Sequence, residues 1–311
     1  MIVHANHPEH GDLRWRRFEF PDGQPHCAFD AQALAACTGP VEIVTAVRAA
    51  GDVVWAALLV DALRSGLPRD CALHLNIGYL LGARMDRRIG PGQPATLAVI
   101  AAQLRALQPM LGALRVLDPH SPATLEQLPG VEVLVPDPLV AYALRRLSGE
   151  EGSAPVVVVP DAGARGRTLG VLRRLGIDAP LALCSKQRDP NTGKLSAFRL
   201  DEGVVAGRRA LIVDDICDGG GTFTGLARLL RVHGAAEVHL CVTHGLLTKG
   251  WALEGIDRIF TTDSAGMPGT AGLALHTDAH DPRHLDGTAD DKVRLSVLTR
   301  FVESLVQDLP A

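Results

Sequence analysis

Two adjacent aspartates, Asp214 and Asp215, close an apolar run in the stretch LIVDDICDGGGTFTGLA over residues 211–227. Asp218, the consecutive glycines Gly219, Gly220 and Gly221, and then Thr222 follow. That order suits one kind of ligand. Carboxylates at the end of a buried parallel strand stand where open α/β sheets gather ligands. Glycines leave backbone N–H groups uncovered, so they can point inward at an anion. A helix opening at Thr222 adds the positive end of its dipole, and Thr222 adds a hydroxyl. The loop is then a phosphate cradle, and the two acids accept hydrogen bonds from neighbouring hydroxyls. A phosphate beside vicinal hydroxyls describes a ribose 5-phosphate. The pattern Gly-x-x-x-x-Gly-Lys-Ser/Thr is absent, so any nucleotide is held by another device.

Further residues carry chemistry at the ends of other apolar runs. Arg84 and Asp86 lie in GARMDRR, a basic turn suited to phosphates. Asp118 and His120 follow Ala113–Leu117, and a buried strand ending in Asp-x-His suits a metal or phosphate site. Lys186 and Arg188 open the polar stretch KQRDPNTGK, which by its residues alone reads as an exposed basic loop.

The elements that must position these residues alternate along the chain. Strands are expected at Val41–Thr45, Ala72–Ile77, Ala113–Leu117, Val131–Val135, Val156–Val159, Leu181–Cys184, Ala210–Val213 and Val238–Val242. Helices are expected near Val53–Ser65, Pro94–Leu107, Pro138–Leu147, Arg167–Leu175, Thr222–His233 and Lys292–Val306. Alternation of runs apolar on both faces with helices predicts mainly parallel sheets flanked by helices. The polar, small-residue segment Leu147–Pro155 marks the boundary between domains 1–148 and 149–311.

The 311 residues suit two domains, and 47% hydrophobic residues supply their cores. A net charge of −4 argues against a general nucleic-acid binder. The opening residues hold no apolar h-region, and no apolar stretch reaches membrane-spanning length, so neither a signal peptide nor a membrane partner is expected. The six cysteines are scattered without a Cys-x-x-Cys pair, which predicts buried thiols in a reduced, cytoplasmic protein. HTDAHDPRH over 276–284 reads as a solvated loop, because Pro282 keeps its histidines off one helix face.

VDDICDGGGTFTG resembles the ribose-phosphate motif of the phosphoribosyltransferase fold. The motif alone does not separate transferases, which consume phosphoribosyl diphosphate, from the synthetase that makes it. The remaining motifs resemble the ribose-phosphate diphosphokinase family, in order and over nearly the whole chain. Phe20-Pro21-Asp22-Gly23-Gln24 is similar to the Phe-x-Asp-Gly-Glu segment that holds adenine from a neighbouring subunit, with Gln24 for the usual Glu. Arg84-Met85-Asp86-Arg87 resembles Arg-Gln-Asp-Arg, and Asp118-Pro119-His120 resembles Asp-Leu-His, whose histidine helps hold magnesium on ATP. Lys186-Gln187-Arg188 matches the Lys-x-Arg that opens a mobile catalytic loop, and Pro160-Asp161-Ala162-Gly163 the Pro-Asp-x-Gly turn beside a metal. Thr243-His244-Gly245 matches a Thr-His-Gly after a later strand, and LSVLTRFVESL the closing helix. At Gly219 the family more often has threonine.

The resemblance implies two phosphoribosyltransferase-like domains with the active site between them. It implies diphosphoryl transfer from ATP to the anomeric hydroxyl of ribose 5-phosphate, giving phosphoribosyl diphosphate and AMP. ATP falls to Phe20, Asp22, Gln24, Arg84, Asp86 and His120. Ribose phosphate falls to Asp214, Asp215, Asp218, Gly219, Gly220, Gly221 and Thr222. Magnesium falls to His120 and Asp161, and catalysis to Lys186 and Arg188. A shared ATP site implies a homo-oligomer, at least a dimer. The same chemistry on a larger ribose phosphate such as ADP-ribose, a non-catalytic regulatory relative, and a base phosphoribosyltransferase stand as alternatives.

Overall fold

The computed structural model describes residues 1–5, 13–148, 154–188, 195–265 and 292–295. The chain divides into two compact units between Leu134 and Val135.

The first unit holds β1 (Ile2–Ala5), β2 (Trp15–Glu19), β3 (Pro25–Phe29), α1 (Ala31–Ala35), β4 (Val41–Val47), α2 (Ala50–Gly66), β5 (Leu73–Leu80), α3 (Thr96–Arg105), β6 (Ala113–Leu117), α4 (Ala123–Gln127) and β7 (Glu132–Leu134). Its main sheet runs β1-β4-β5-β6-β7, parallel except for the antiparallel β1. Helix α2 buries Val53, Ala56, Leu59, Val60 and Leu63, the spacing of one helical face. Asp52 closes its start by accepting the Arg48 and Ala49 N–H groups at 2.8 Å each. The strands are not apolar on both faces, as the sequence suggested. Glu42, Asn76 and Arg115 form a buried polar row across β4, β5 and β6. Asn76 Nδ2 donates to Glu42 at 2.6 Å, Arg115 Nη1 lies 3.3 Å from Glu42, and Arg115 Nε donates to Glu132 at 2.7 Å. Every charge in the row has an opposite partner, which is what lets it be buried.

The second unit holds α5 (Asp137–Leu147), β8 (Val156–Val159), α6 (Ala162–Leu175), β9 (Leu181–Arg188), β10 (Leu195–Glu202), β11 (Arg209–Cys217), α7 (Gly221–Val232), β12 (Glu237–Gly245), β13 (Arg258–Thr262) and β14 (Lys292–Leu295). Its sheet runs β10-β9-β8-β11-β12-β13-β14, with only β10 antiparallel to its neighbour. The unit begins earlier than the linker composition indicated. Helix α5 buries Leu139, Val140, Ala143, Leu144 and Leu147 against Val157, Leu211, Val213 and Phe260, so its apolar face belongs to this sheet. The helix expected from Lys292 is corrected at its start. Lys292–Leu295 pairs in parallel with Ile259–Thr262, because it satisfies the edge of β13 that β12 leaves open. The rest of that helix, and the histidine stretch 276–284, lie outside the described residues.

Candidate active site

The acidic pair sits inside a strand rather than after it. Strand β11 continues through Asp214 and Asp215 to Cys217, because Asp214, Ile216 and Cys217 pair with Val242, His244 and Gly245 of β12. Asp215 is buried, and Asp214 is 15% exposed at its side chain. Its Oδ1 accepts the Asp215 N–H at 2.9 Å. The pair has a partner that the sequence reading missed. Arg167, on the second turn of α6, sets Nη1 3.6 Å from Asp214 and 3.4 Å from Asp215. Burial and the Asp215 charge push Asp214 up to about 7, while Arg167 opposes them. Nothing in the spacing of this Arg-rich helix singles Arg167 out from Arg165, Arg173 or Arg174. Only the packing of α6 against β11 does.

The loop expected to hold the phosphate starts immediately after β11. Gly220 is the N-cap of α7 with φ 75°, a left-handed conformation that glycine adopts at no steric cost, and no side chain caps the helix. Asp218, Gly219 and Thr222 are half-buried around it. Beneath the loop, Gly245 ends β12 where a Cβ would stand 2.6 Å from Thr261 Oγ1. His244 Nδ1 lies 2.7 Å from Ser264 Oγ, and Thr262 Oγ1 donates to the Thr243 carbonyl at 2.7 Å. These buried bonds fix where the chain leaves β12.

Asp161 caps α6 by accepting the Ala164 N–H at 3.1 Å. Its other oxygen holds Lys186 Nζ at 2.5 Å. Burial works against the Asp161 charge, but the Lys186 contact outweighs it and holds the carboxyl below its ordinary range. The expected catalytic cation thus already faces the expected metal carboxylate. Lys186 and Arg188 stand on strand β9 rather than in a loop, in register with Phe198 and Leu195 of β10. The polar stretch 189–194 lies outside the described residues. An ammonium against Asp161 marks a place where a cation is stable. Asp161 offers the oxygen that magnesium prefers, and the imidazole of His120 is less suited. Among the described residues no group of three or more metal-ligating side chains occurs, so any such ion would lean on substrate oxygens.

In the first unit, Arg84, Asp86 and His120 follow the neighbouring parallel strands β5 and β6. Asp86 binds Arg87 Nε at 2.8 Å and Nη2 at 3.1 Å. The Arg87 bonds, with help from Ser121 and the His120 charge, hold it down to about 2. Arg84 is exposed and His120 half-buried. Asp118, between β6 and His120, is buried with φ 38° and donates its N–H to the Leu134 carbonyl at 2.9 Å. A non-glycine residue in that region marks a turn the fold enforces.

Phe20, Asp22 and Gln24 occupy the tip of the hairpin β2–β3, which forms a sheet of its own. Phe20 donates its N–H to the Gln24 carbonyl at 2.9 Å, and Gly23 turns at φ 83°. Gln24 Nε2 donates to Asp22 at 2.7 Å. Phe20 is 48% exposed and packs edge-on against Phe18, ring centroids 5.5 Å apart. The hairpin is held to α2 by Trp15 against Trp55 and by Arg17 stacked 4.1 Å over the Trp55 ring.

Residues 138–257 match the family described as a phosphoribosyl transferase domain. The chain is 31% identical over 258 residues to a ribose-phosphate pyrophosphokinase of Methanopyrus kandleri, covering 80% of this chain and 83% of that one. It is 32% identical over 221 residues to a ribose-phosphate pyrophosphokinase of Pyrococcus furiosus, covering 70% and 74%. The fold is similar to that of a phosphoribosylpyrophosphate synthetase from Mycobacterium smegmatis, with a TM-score of 0.69 at 21% identity over 94% of this chain and 89% of that one.

Proposed function

The chain belongs to the ribose-phosphate pyrophosphokinase family, and from that membership we infer its reaction: ATP-dependent diphosphoryl transfer to ribose 5-phosphate. The observation that carries this reading is 31% identity, over 80% of the chain, to a relative of that name. The ribose O1 bonds to the β-phosphorus of ATP, the bond from that phosphorus to the AMP oxygen breaks, and AMP leaves. Neither the ADP-ribose substrate, the non-catalytic relative nor the base transferase finds support.

The residues divide this work. Asp214 and Asp215 accept the ribose hydroxyls, and Arg167 keeps the acidic pair charge-balanced. The loop Asp218–Thr222 holds the 5-phosphate with its N–H groups, the helix dipole and the Thr222 hydroxyl. Arg84 pairs with ATP phosphates. Asp86, locked by Arg87, orients the turn that carries Arg84, and His120 stands beside it. Phe20, Asp22 and Gln24 stand on an exposed hairpin tip, which suits donation to the ATP site of a second copy in a homo-oligomer. Lys186 exchanges Asp161 for substrate phosphates and, with Arg188, neutralises the charge that develops on them. Magnesium carried with ATP would find a carboxylate ligand in Asp161, and would supply charge neutralisation on the phosphate oxygens; His120, the other residue the resemblance implies, is proposed within the first unit. No helix among the described residues is long and apolar enough to cross a membrane. Six buried cysteines outside any disulfide suit a reducing compartment such as the cytoplasm.

AMP release from ATP and magnesium, with ribose 5-phosphate supplied, tests the reaction. AMP is expected with the wild-type chain, and Lys186→Ala is expected to lose it by roughly a hundredfold or more. A folded wild-type chain that binds ribose 5-phosphate yet releases no AMP would sink the enzyme reading.

A further inference from the structure

The segment 246–250 is fastened onto the phosphate loop. Leu246 and Leu247 donate their N–H groups to the Cys217 carbonyl at 2.9 and 3.1 Å. Thr248 donates its N–H to the Asp218 carbonyl at 3.1 Å and its hydroxyl to Asp218 Oδ1 at 2.6 Å. Leu247 is buried with φ 47°, a conformation that a leucine keeps only under such constraint. The turn sets Lys249 across Gly219. A Cβ at position 219 would lie 3.3, 3.4 and 3.7 Å from Lys249 Cε, Cδ and Cγ. The lysine stem therefore runs through the space that a side chain at 219 would claim, and its ammonium follows directly on Cε. Lys249 is exposed, and among the described residues no carboxylate pairs with it.

The loop itself is short of positive charge. Residues 218–222 are Asp-Gly-Gly-Gly-Thr, with no cation and one carboxylate. A phosphate dianion bound there meets the Asp218 charge and has only backbone N–H groups, the helix dipole and a hydroxyl to set against it. We infer that Lys249 supplies the missing cation and binds the 5-phosphate of the acceptor sugar, so that the glycine at 219 and the lysine at 249 act as one device. The assignment rests on the proposed acceptor, ribose 5-phosphate. Lysine acts as a mobile point charge here, which favours a terminal phosphate carrying two charges over a phosphodiester carrying one.

The test compares the full chain with Lys249→Ala and Lys249→Arg. Ribose 5-phosphate binding is read by titration calorimetry, and KM and kcat by AMP formation. Lys249→Ala is expected to weaken binding and raise KM for ribose 5-phosphate by roughly tenfold, with the loss falling on KM rather than kcat. Its salt dependence becomes shallower. Lys249→Arg restores most of the affinity. Gly219→Thr added to Lys249→Ala has the room the lysine stem vacated, and its hydroxyl recovers part of the loss. Equal affinity and KM in the wild-type and Lys249→Ala chains would overturn the assignment and leave the reaction standing. A wild-type chain that neither binds ribose 5-phosphate nor releases AMP would overturn the reaction, and the assignment with it.

Discussion

Asp214 carries the sharpest pH consequence at the scale of single residues. Burial and the Asp215 charge lift it from 3.8 to about 7, so the folded chain keeps a proton that the unfolded chain has released. Where the folded state binds more protons, stability falls as pH rises. Unfolding midpoints in urea are therefore expected to decline between about pH 4 and pH 7 through this group, and Asp214→Asn should flatten that decline. With Asp214 as the proposed acceptor of ribose hydroxyls, ligand binding runs the other way, because that role needs the carboxylate. Ribose 5-phosphate affinity is expected to improve as pH rises through about 7, with an apparent pKa that belongs to the Asp214–Asp215 pair. Removing the Arg167 charge takes away the attraction that opposes this lift. Arg167→Met should push the transition to higher pH, and Arg167→Lys should largely hold it in place, which a pH series of binding titrations measures.

The elements show where the sequence was readable. Strands at Ala113–Leu117 and Val156–Val159 stand as their β-branched and leucine runs indicated, since buried parallel strands are written in such residues. The second half of β9 was not readable. Ser185-Lys186-Gln187-Arg188 is too polar to read as a strand, and it is extended because β10 pairs with it, with a register shift between Leu195 and Ala197. The hairpin β2–β3 escaped for a similar reason, as its order comes from Trp15 and Arg17 against Trp55 rather than from an apolar run. The start of α7 was legible to within one residue because glycine marks it. Gly220→Ala forces a Cβ into a left-handed position and against Leu253, and should cost about 1–3 kcal/mol, read by urea unfolding. The row Glu42–Asn76–Arg115 makes a second test. Arg115→Met leaves the Glu42 charge buried without its partner and should cost roughly 3–5 kcal/mol, whereas Glu42→Gln combined with Arg115→Met should recover much of that.

Across the whole molecule, the residues proposed for ATP and those proposed for ribose phosphate belong to different units. Arg84, Asp86 and His120 stand in Met1–Leu134, and Asp161, Lys186, Asp214 and the phosphate loop in Val135–Glu303. The kinetic constants should separate accordingly. Arg84→Ala is expected to raise KM for ATP by roughly tenfold or more, and Asp215→Asn to act on KM for ribose 5-phosphate instead, in two-substrate kinetics. The division into two α/β units was legible from alternating runs, but its boundary was not. The polar stretch after Leu147 looks like a linker, and only the packing of α5 on β11, β12 and β13 shows that the helix before it serves the second sheet. The cysteines have a consequence of another kind. All six are buried and outside any disulfide, and the two nearest the acidic pair, Cys184 and Cys217, are pushed up to about 11 and about 12, first by burial. The charges that act on these two thiols are carboxylates, Asp201 on one and Asp218 and Asp214 on the other, and they add to the effect of burial, so neither sulfur is activated as a thiolate. A maleimide dye is accordingly blind to the intact chain. The rate at which it begins to label becomes a clock for the opening of each core, with Cys27, Cys37 and Cys71 timing one unit and Cys184, Cys217 and Cys241 the other.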